Sequence, residues 1–447
     1  MRDALRGRKE QPKSVTFSLE KVSVAEDSKI REVEPGNNDK SIQKPLHSWP
    51  FPGDTHTRAR ELIYFMTSES DYVFRPFRTV WFSMALTDAT ALQLCLANAA
   101  MFMAQRRQPG MFQYDKCTEA LEYYGRSLCQ VTKRLENSID CTSTGVLVTV
   151  LGFICHDLYV GIWDRWAAHM NGLRRIIQLC GGYKNISHNL TLWASWYDIL
   201  GSANRDTYPQ FPVFMCDIEP STYPVTLRTP LLQQIERVLF NQKFILNCLC
   251  KVQGIANIIN NHYQNPDFWR REDDLSPLYM LGPITHELLS MHRLDVECDY
   301  DSEVVFDSTQ ISREILRLSM LILLAALKTM YSFIVDESEE LNILSTKFSR
   351  LLTLDRSRPS LLNKDGILHT LQLQLWAMLT VATLQPLSAS RTLYVTEIRK
   401  CMNLLGMVSA TDAFQLARDI AWIDVVAGTT LGNEPLINAI NNAPLLT

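Results

Sequence analysis

Helical spacing of apolar residues is the feature that most limits the folds open to this chain. After about residue 46, apolar residues recur at steps of three and four in nearly every segment. A clear example is the stripe formed by Trp166, Met170, Leu173, Ile177 and Cys180. Alternating Val, Ile and Thr of the kind that forms strands is hardly present. The sequence therefore predicts an all-α fold, a large multi-helix domain.

The N-terminal segment differs from the rest of the chain. Residues 1–45 mix both charge signs, and their apolar residues are too sparse to offset the entropy cost of ordering the backbone. We predict a disordered charged tail or linker at 1–45, an all-helical domain at 46–430 and a C-terminal tail at 431–447. No fixed sequence period is visible, which argues against a repeat solenoid.

Two strongly apolar runs resemble membrane spans only in composition. They extend from Gly145 to Cys155 and from Leu318 to Leu327, well short of the about 20 residues that cross a bilayer. The charged N-terminus also lacks the apolar run of a secretory signal. These observations predict an intracellular protein that has buried core helices and no membrane partner.

Charge and cysteine usage limit the classes of function. The formal net charge of −4 supplies no basic field for binding phosphates, so direct DNA contact by this chain is not supported. The eleven cysteines are scattered and no CxxC occurs, which excludes a zinc ribbon, a zinc finger or a six-cysteine zinc cluster within this chain. We expect buried thiols and no metal.

A search for catalytic motifs finds none. GxSxG, GxxxxGK[ST] and GxGxxG are absent, so hydrolase, NTPase and dinucleotide enzymes lose their simplest support. HELLSMH places His292 six residues after His286, whereas a zinc protease helix needs a spacing of four. Asp273 and Asp274 are followed by Pro277 where a magnesium site of the terpene-synthase kind needs a third carboxylate. We predict no catalytic residues and no cofactor.

The segment HMNGLRRIIQLCGGY, from His169 to Tyr183, combines reactive side chains with a glycine pair. Arg174 and Arg175 lie off the apolar stripe, which places them toward solvent. Gly181 and Gly182 follow the last periodic residue, where helices commonly end in a left-handed conformation. We interpret the glycines as a helix stop rather than a phosphate loop, and His169 as a packed core histidine.

Seven segments follow one another in a recognisable order: ALTDATALQLCLANAA, CTEALEYYGRSLCQVTKRL, VLVTVLGFICHDLYVGIWDRWAAHMNGLRRIIQLCGG, LWASWYDILGSANRDTYPQFP, EILRLSMLILLAAL, LQLQLWAML and ARDIAWID. They include a W-x-x-H pattern before a helix that ends in GG. This order resembles the fungal-specific transcription factor domain, the helical regulatory region that typically follows a six-cysteine zinc cluster. The resemblance spans roughly Trp49 to Asp424.

The resemblance implies a fungal transcriptional regulator located in the nucleus, with the cytoplasm as the alternative. Such a domain is expected to bind protein partners, either transcription machinery or a DNA-binding co-regulator, and is compatible with a homodimer and a small-molecule effector. The family's DNA-binding module has no counterpart here, because the first cysteine is Cys95, inside a predicted core helix. Either the protein regulates without contacting DNA directly, or that module was lost, is encoded separately, or was missed at the start of the gene.

Two alternatives from other classes stay open. The first is an all-α enzyme of secondary metabolism whose site is assembled from dispersed residues such as His156, Asp157 and His169. The second is a helical scaffold without a ligand. Substitution of the three residues abolishes turnover if the enzyme hypothesis holds, whereas a regulator loses at most stability, because the residues are expected to be buried.

Overall fold

The computed structural model describes residues 57–68, 82–107, 111–213, 229–265, 276–294, 307–331, 337–354, 364–385 and 391–443. These ranges fold into α-helices joined by turns and short 3-10 segments, and they contain no strand. The all-α prediction is therefore confirmed. The predicted tail at 1–45 and the REDDLSP carboxylates Asp273 and Asp274 lie outside the described residues.

The helices follow the predicted periodic segments closely. In chain order they are α1 (Thr57–Ser68), α2 (Phe82–Ala85), α3 (Ala89–Arg107), α4 (Thr118–Leu135), α5 (Thr144–Val160), α6 (Trp163–Leu179), α7 (His188–Arg205), α8 (Pro230–Val238), α9 (Lys243–His262), α10 (Ser276–Leu289), α11 (Ser308–Lys328), α12 (Glu337–Thr353), α13 (Lys364–Leu384), α14 (Arg391–Leu404), α15 (Ala410–Ile420), α16 (Asp424–Ala427) and α17 (Glu434–Asn441).

Helices α3, α5 and α11 form the inside of the molecule. Helix α3 packs against α1, α4 and α5, and α5 packs in turn against α6 and α7. Helix α11 lies against α12 and α13. Both apolar runs noted in the sequence, Gly145 to Cys155 within α5 and Leu318 to Leu327 within α11, are buried almost throughout. Their interpretation as core helices is confirmed.

One described helix, α13, has the length and composition of a membrane span. Most of its residues are buried, and it packs against α11, α14 and α15. Burial on several protein faces is the ordinary situation of an apolar helix in the core of a large helical domain. Helix α13 is therefore accounted for by the packing of its neighbours.

Helix α12 ties the early helices to the later ones. The Trp163 indole at the start of α6 donates a hydrogen bond to the Glu339 carboxylate over 3.0 Å. The next residue, Glu340, accepts two hydrogen bonds of 2.8 Å from Lys328 at the end of α11, and both side chains of this ion pair are buried. The first turns of α12 are thus held from both sides.

The turn after α15 is held by two amide side chains of α9. Gln253 Nε2 donates to the Ile420 carbonyl over 2.8 Å. Asn260 Nδ2 donates to the Trp422 carbonyl over 2.6 Å, and Asn260 Oδ1 accepts from the Asp424 backbone N–H over 3.0 Å. These side chains provide hydrogen-bond partners for backbone groups of the buried turn, although they lie more than a hundred residues away in the sequence.

The C-terminal segment departs from the prediction. Residues 431–447 were expected to be a tail, but α17 packs against α14 and α15 and buries Leu436, Ile437 and Ile440. The prediction of a tail is wrong for α17 because a short helix carries too few apolar residues to show a clear period. The helical domain continues at least to Asn441.

Candidate functional site

The three residues of the enzyme hypothesis come together between α4, α5 and α6. His169 Nε2 lies 3.5 Å from Asp157 Oδ2 and 3.2 Å from the Tyr124 hydroxyl oxygen. His156 points to a different side, where its Nε2 is hydrogen-bonded to the Tyr114 hydroxyl at 2.8 Å. We name Tyr114, Tyr124, His156, Asp157, Arg165 and His169 the Asp157 cluster.

Arg165 supplies the positive charge of the cluster. Its Nε donates to Asp157 Oδ1 over 3.0 Å, and its guanidinium carbon lies 4.6 Å from the centroid of the Tyr124 ring. The Phe153 ring stacks on the His169 imidazole at a centroid distance of 5.0 Å. Aromatic rings thus lie next to the ion pair of Arg165 and Asp157. These contacts join α4, α5 and α6.

Burial sets the protonation states in the cluster. It lowers the pKa of His156 to about 3 and the pKa of His169 to about 4, and the nearby Arg165 charge acts in the same direction. Burial raises the pKa of Asp157 to about 6, although the charge and hydrogen bond of Arg165 oppose this rise. At pH 7 both imidazoles are neutral and Asp157 is an ion paired with Arg165.

The arrangement is suited to holding helices together. His156 and Asp157 are fully buried, and His156 Nδ1 is hydrogen-bonded to Asn98 Oδ1 of α3 at 2.6 Å. A general base must reach a substrate proton directly or through one water, and the polar contacts of His156 are to protein groups. Within the described ranges, no group of three or more His, Cys, Asp and Glu side chains has metal-binding geometry.

We expect the effect of His169→Gln to depend on pH. The pKa of His169 falls from 6.5 to about 4 on folding, so its neutral form stabilises the fold above pH 6.5, and this contribution is lost as the pH falls toward 4. The variant lacks this titration, so its deficit in unfolding free energy is about 2 kcal/mol smaller at pH 5 than at pH 7.5. Urea unfolding of both proteins at the two pH values measures this. An equal deficit at both would contradict the assignment.

The glycine pair after α6 ends the helix as predicted. Gly181 and Gly182 have φ of 86° and 99°, and the Gly182 N–H donates to the Ile177 carbonyl over 2.9 Å. Asn185 Nδ2 donates to the Cys180 carbonyl over 2.9 Å, so a side chain satisfies another carbonyl of the last turn. The interpretation as a helix stop is confirmed.

The other predictions for this stretch also hold. Trp166, Met170, Leu173 and Ile177 are buried, whereas Arg174 and Arg175 are exposed. His169 is a packed histidine, as expected. The glycine pair is therefore part of the scaffold.

A second buried charge network lies where α7, α11 and α12 meet. Asp206 accepts hydrogen bonds of 2.8 and 3.0 Å from the two terminal nitrogens of Arg317, which is 1% exposed. Arg293 Nε and Lys347 Nζ reach the same carboxylate at 3.1 and 3.0 Å. Glu314 binds Arg317 from the other side at 2.6 Å. We name these five residues the Asp206 network.

Charge pairing decides the ionisation of Asp206. Burial alone raises the pKa of this carboxyl, but the hydrogen bond and charge of Arg317, followed by the charges of Lys347 and Arg293, hold it well below its usual range. Asp206 also has a φ of 47°, in the left-handed region that Asp tolerates better than most residues. The network thus fixes both the charge and the backbone at the end of α7.

The comparison with family models finds a similarity in the first part of the helical domain. Residues 61–249 match the model of the fungal specific transcription factor domain. This segment, 189 of the 447 residues, is similar to the fungal specific transcription factor domain. No curated protein matches the chain, and no solved structure does.

The matched segment covers less than half of the chain. The match begins within α1, includes the whole Asp157 cluster and ends within α9. The sequence resemblance is confirmed for 61–249, and its extension to Asp424 stays a prediction. Asp206 belongs to the matched segment, whereas its partners Arg293, Arg317 and Lys347 lie beyond it. The Asp206 network therefore joins the matched segment to the helices that follow.

Sequence reasoning missed the Asp206 network. Asp206 follows the last residue of α7, and Arg317 directly precedes the apolar run Leu318 to Leu327. The available signal was Arg317 itself, since a lone arginine among buried leucines needs an acidic partner.

His286 of the HELLSMH segment lies against the loop that follows α7. His286 Nε2 is 2.9 Å from the Phe211 carbonyl oxygen. The N–H groups of Gln210 and Phe211 donate to Asp198, over 2.6 and 2.7 Å. His286 and Asp198 thus hold the loop that follows α7 within the matched segment, and His286 acts there as a hydrogen-bond partner.

Proposed function

We propose that this protein is a nuclear regulator of transcription that acts through its helical domain by binding other proteins. The observation that carries the proposal is the match of residues 61–249 to the fungal specific transcription factor domain. The Asp157 cluster within the matched segment supports it, because its fully buried His156 and Asp157 are used to join helices. The working surface is then the outside of the helical domain.

A DNA-binding partner is the route by which the regulator reaches its target genes. The 447 residues have no cysteine before Cys95 and a formal net charge of −4, so this segment itself carries neither the cysteines of a zinc cluster nor a basic field. Binding through a partner requires only a protein interface. A protein interface could equally be formed with a second copy of the chain, so the proposal is compatible with a homodimer.

A response to a small effector fits the way in which the helices are joined. The Asp206 network connects the matched segment to α11 and α12 through buried charge pairs. Buried charges tolerate few alternative arrangements, because separating one pair leaves an unpaired charge in the core. A ligand that prefers one packing of these helices therefore shifts the population of active protein.

The test is made in the fungus that carries the gene. A fluorescent fusion expressed from the native promoter locates the protein, and RNA sequencing compares the wild type, a deletion strain and the deletion strain complemented with the gene. We expect nuclear fluorescence and a defined set of transcripts that change on deletion and return on complementation. A fusion confined to the cytoplasm together with unchanged transcripts contradicts the proposal.

A further inference from the structure

The junction between α8 and α9 exposes two phenylalanine rings. Phe240 lies in the 3-10 turn Phe240–Gln242 and is 77% exposed, and Phe244 lies in the first turn of α9 and is 62% exposed. Every other Phe, Tyr and Trp side chain in the described ranges is less exposed than these two. Two large apolar rings one helical turn apart are costly to leave in water, so this surface has the character of a binding site.

Phe240 borders a groove of about 380 Å³. The lining consists of Gln233, Glu236, Arg237, Phe240, Lys243 and Leu246. Leu246 is buried and forms an apolar floor, while Arg237 and Lys243 are exposed on the rim. The opposite side of α8 buries Leu232 and Ile235, and α8 packs against α13 and α15, so the groove is built on a fixed helix. We name this surface the Phe240 groove.

The rim of the Phe240 groove is positively charged. Arg237 and Lys243 flank Phe240 at three residues on either side, and neither forms an ion pair with another described residue. The carboxylate of Glu236 already accepts a hydrogen bond from the Cys250 thiol over 3.2 Å. Two cations beside an apolar ring are complementary to a ligand that combines carboxylates with apolar side chains.

We propose that the Phe240 groove binds an acidic amphipathic segment of a partner protein. Apolar side chains of that segment cover Phe240 and Phe244, and its carboxylates face Arg237 and Lys243. The groove lies within the matched residues 61–249. The inference rests on the proposed regulatory function, for which it names the chemistry of the partner.

A second copy of this chain fits the groove less well. A two-fold interface centred on Phe240 brings Arg237 and Lys243 of both copies into one contact, because such an interface uses the same patch twice. Like charges placed opposite each other weaken an interface. Charge complementarity therefore favours a different, acidic protein.

The experiment uses the purified full chain and two labelled synthetic peptides. The acidic peptide carries Leu and Phe at helical spacing with Asp and Glu elsewhere, and the reversed peptide has Lys at every acidic position. Fluorescence anisotropy is expected to give saturable binding of the acidic peptide alone, weakened by added salt. Phe240→Ala and the double variant Arg237→Glu/Lys243→Glu are each expected to weaken binding at least about tenfold.

Leu431→Ala is the matched control, since Leu431 is a highly exposed apolar residue that does not line the groove. It should leave affinity unchanged, and unchanged thermal unfolding of Phe240→Ala shows that the variant folds. The proposal is overturned by absence of saturable binding, by equal binding of both peptides, or by full affinity of Phe240→Ala. A dimer in sedimentation that Phe240→Ala dissociates also overturns it, in favour of a second copy. These outcomes are separate from nuclear location and transcript changes, which test the proposed function.

Discussion

Asp206→Asn is expected to lower the free energy of unfolding by about 3–5 kcal/mol, the range found when one partner of a buried ion pair is removed. The substitution keeps the shape of the side chain and the left-handed backbone, which Asn also tolerates. It leaves Arg317, Arg293 and Lys347 around a neutral amide, with Glu314 as the remaining acid of the network. The loss therefore reports on charge rather than on packing.

Urea unfolding of the purified protein at pH 7 measures this effect, with Asp412→Asn as the control. Asp412 is exposed, so its substitution should change stability by no more than about 0.5 kcal/mol. Because the pKa of Asp206 is depressed in the fold, its contribution is complete at neutral pH and is lost as the pH falls below about 4. If both variants unfold like the wild type, the Asp206 network does not hold the helices together.

Gly201→Ala is expected to cost about 3 kcal/mol, at the upper end of the usual range for overpacked cores. Gly201 of α7 lies against Trp166 of α6, and a Cβ there would be 2.2 Å from two atoms of the Trp166 ring. Trp166 is buried, so its ring has no free space into which to move. The two helices must therefore move apart, and the packing around Trp166 is lost.

Gly172→Ala is the matched control on α6. A Cβ at Gly172 meets nothing within 4 Å, and the residue is exposed. Alanine is the better helix former, so this variant should gain about 0.5–1 kcal/mol. Thermal unfolding of the two variants should therefore shift in opposite directions. A shift of the same sign and size in both would show that Trp166 does not pack on Gly201 as described.

Local sequence patterns predicted the long helices, although they missed the short helix α17. The spacing of Trp166, Met170, Leu173 and Ile177 placed the buried face of α6, because side chains three and four residues apart share one side of a helix. The glycine pair likewise marked the end of α6, since a left-handed turn is a local backbone property. In both cases the physical cause lies within a few residues of the pattern.

Contacts between distant segments were beyond this kind of reasoning. Asp206 and Arg317 are 111 residues apart, and nothing near either residue indicates the other. The Asp157 cluster was foreseen only in part, because His169 was expected to be packed but its contacts with Asp157 and Tyr124 depend on how α4, α5 and α6 meet. Exposure of Phe240 likewise follows from packing, since the sequence around it carries the apolar pattern of a buried face.

The most direct test of regulation by the helical domain is a reporter assay in which the full chain is fused to an unrelated DNA-binding domain. We expect the fusion to change reporter expression at the cognate site, with Gly172→Ala as active as the wild type and Gly201→Ala inactive at equal protein level. Reporter output equal to that of the DNA-binding domain alone, from a stably expressed and nuclear wild-type fusion, would contradict the account.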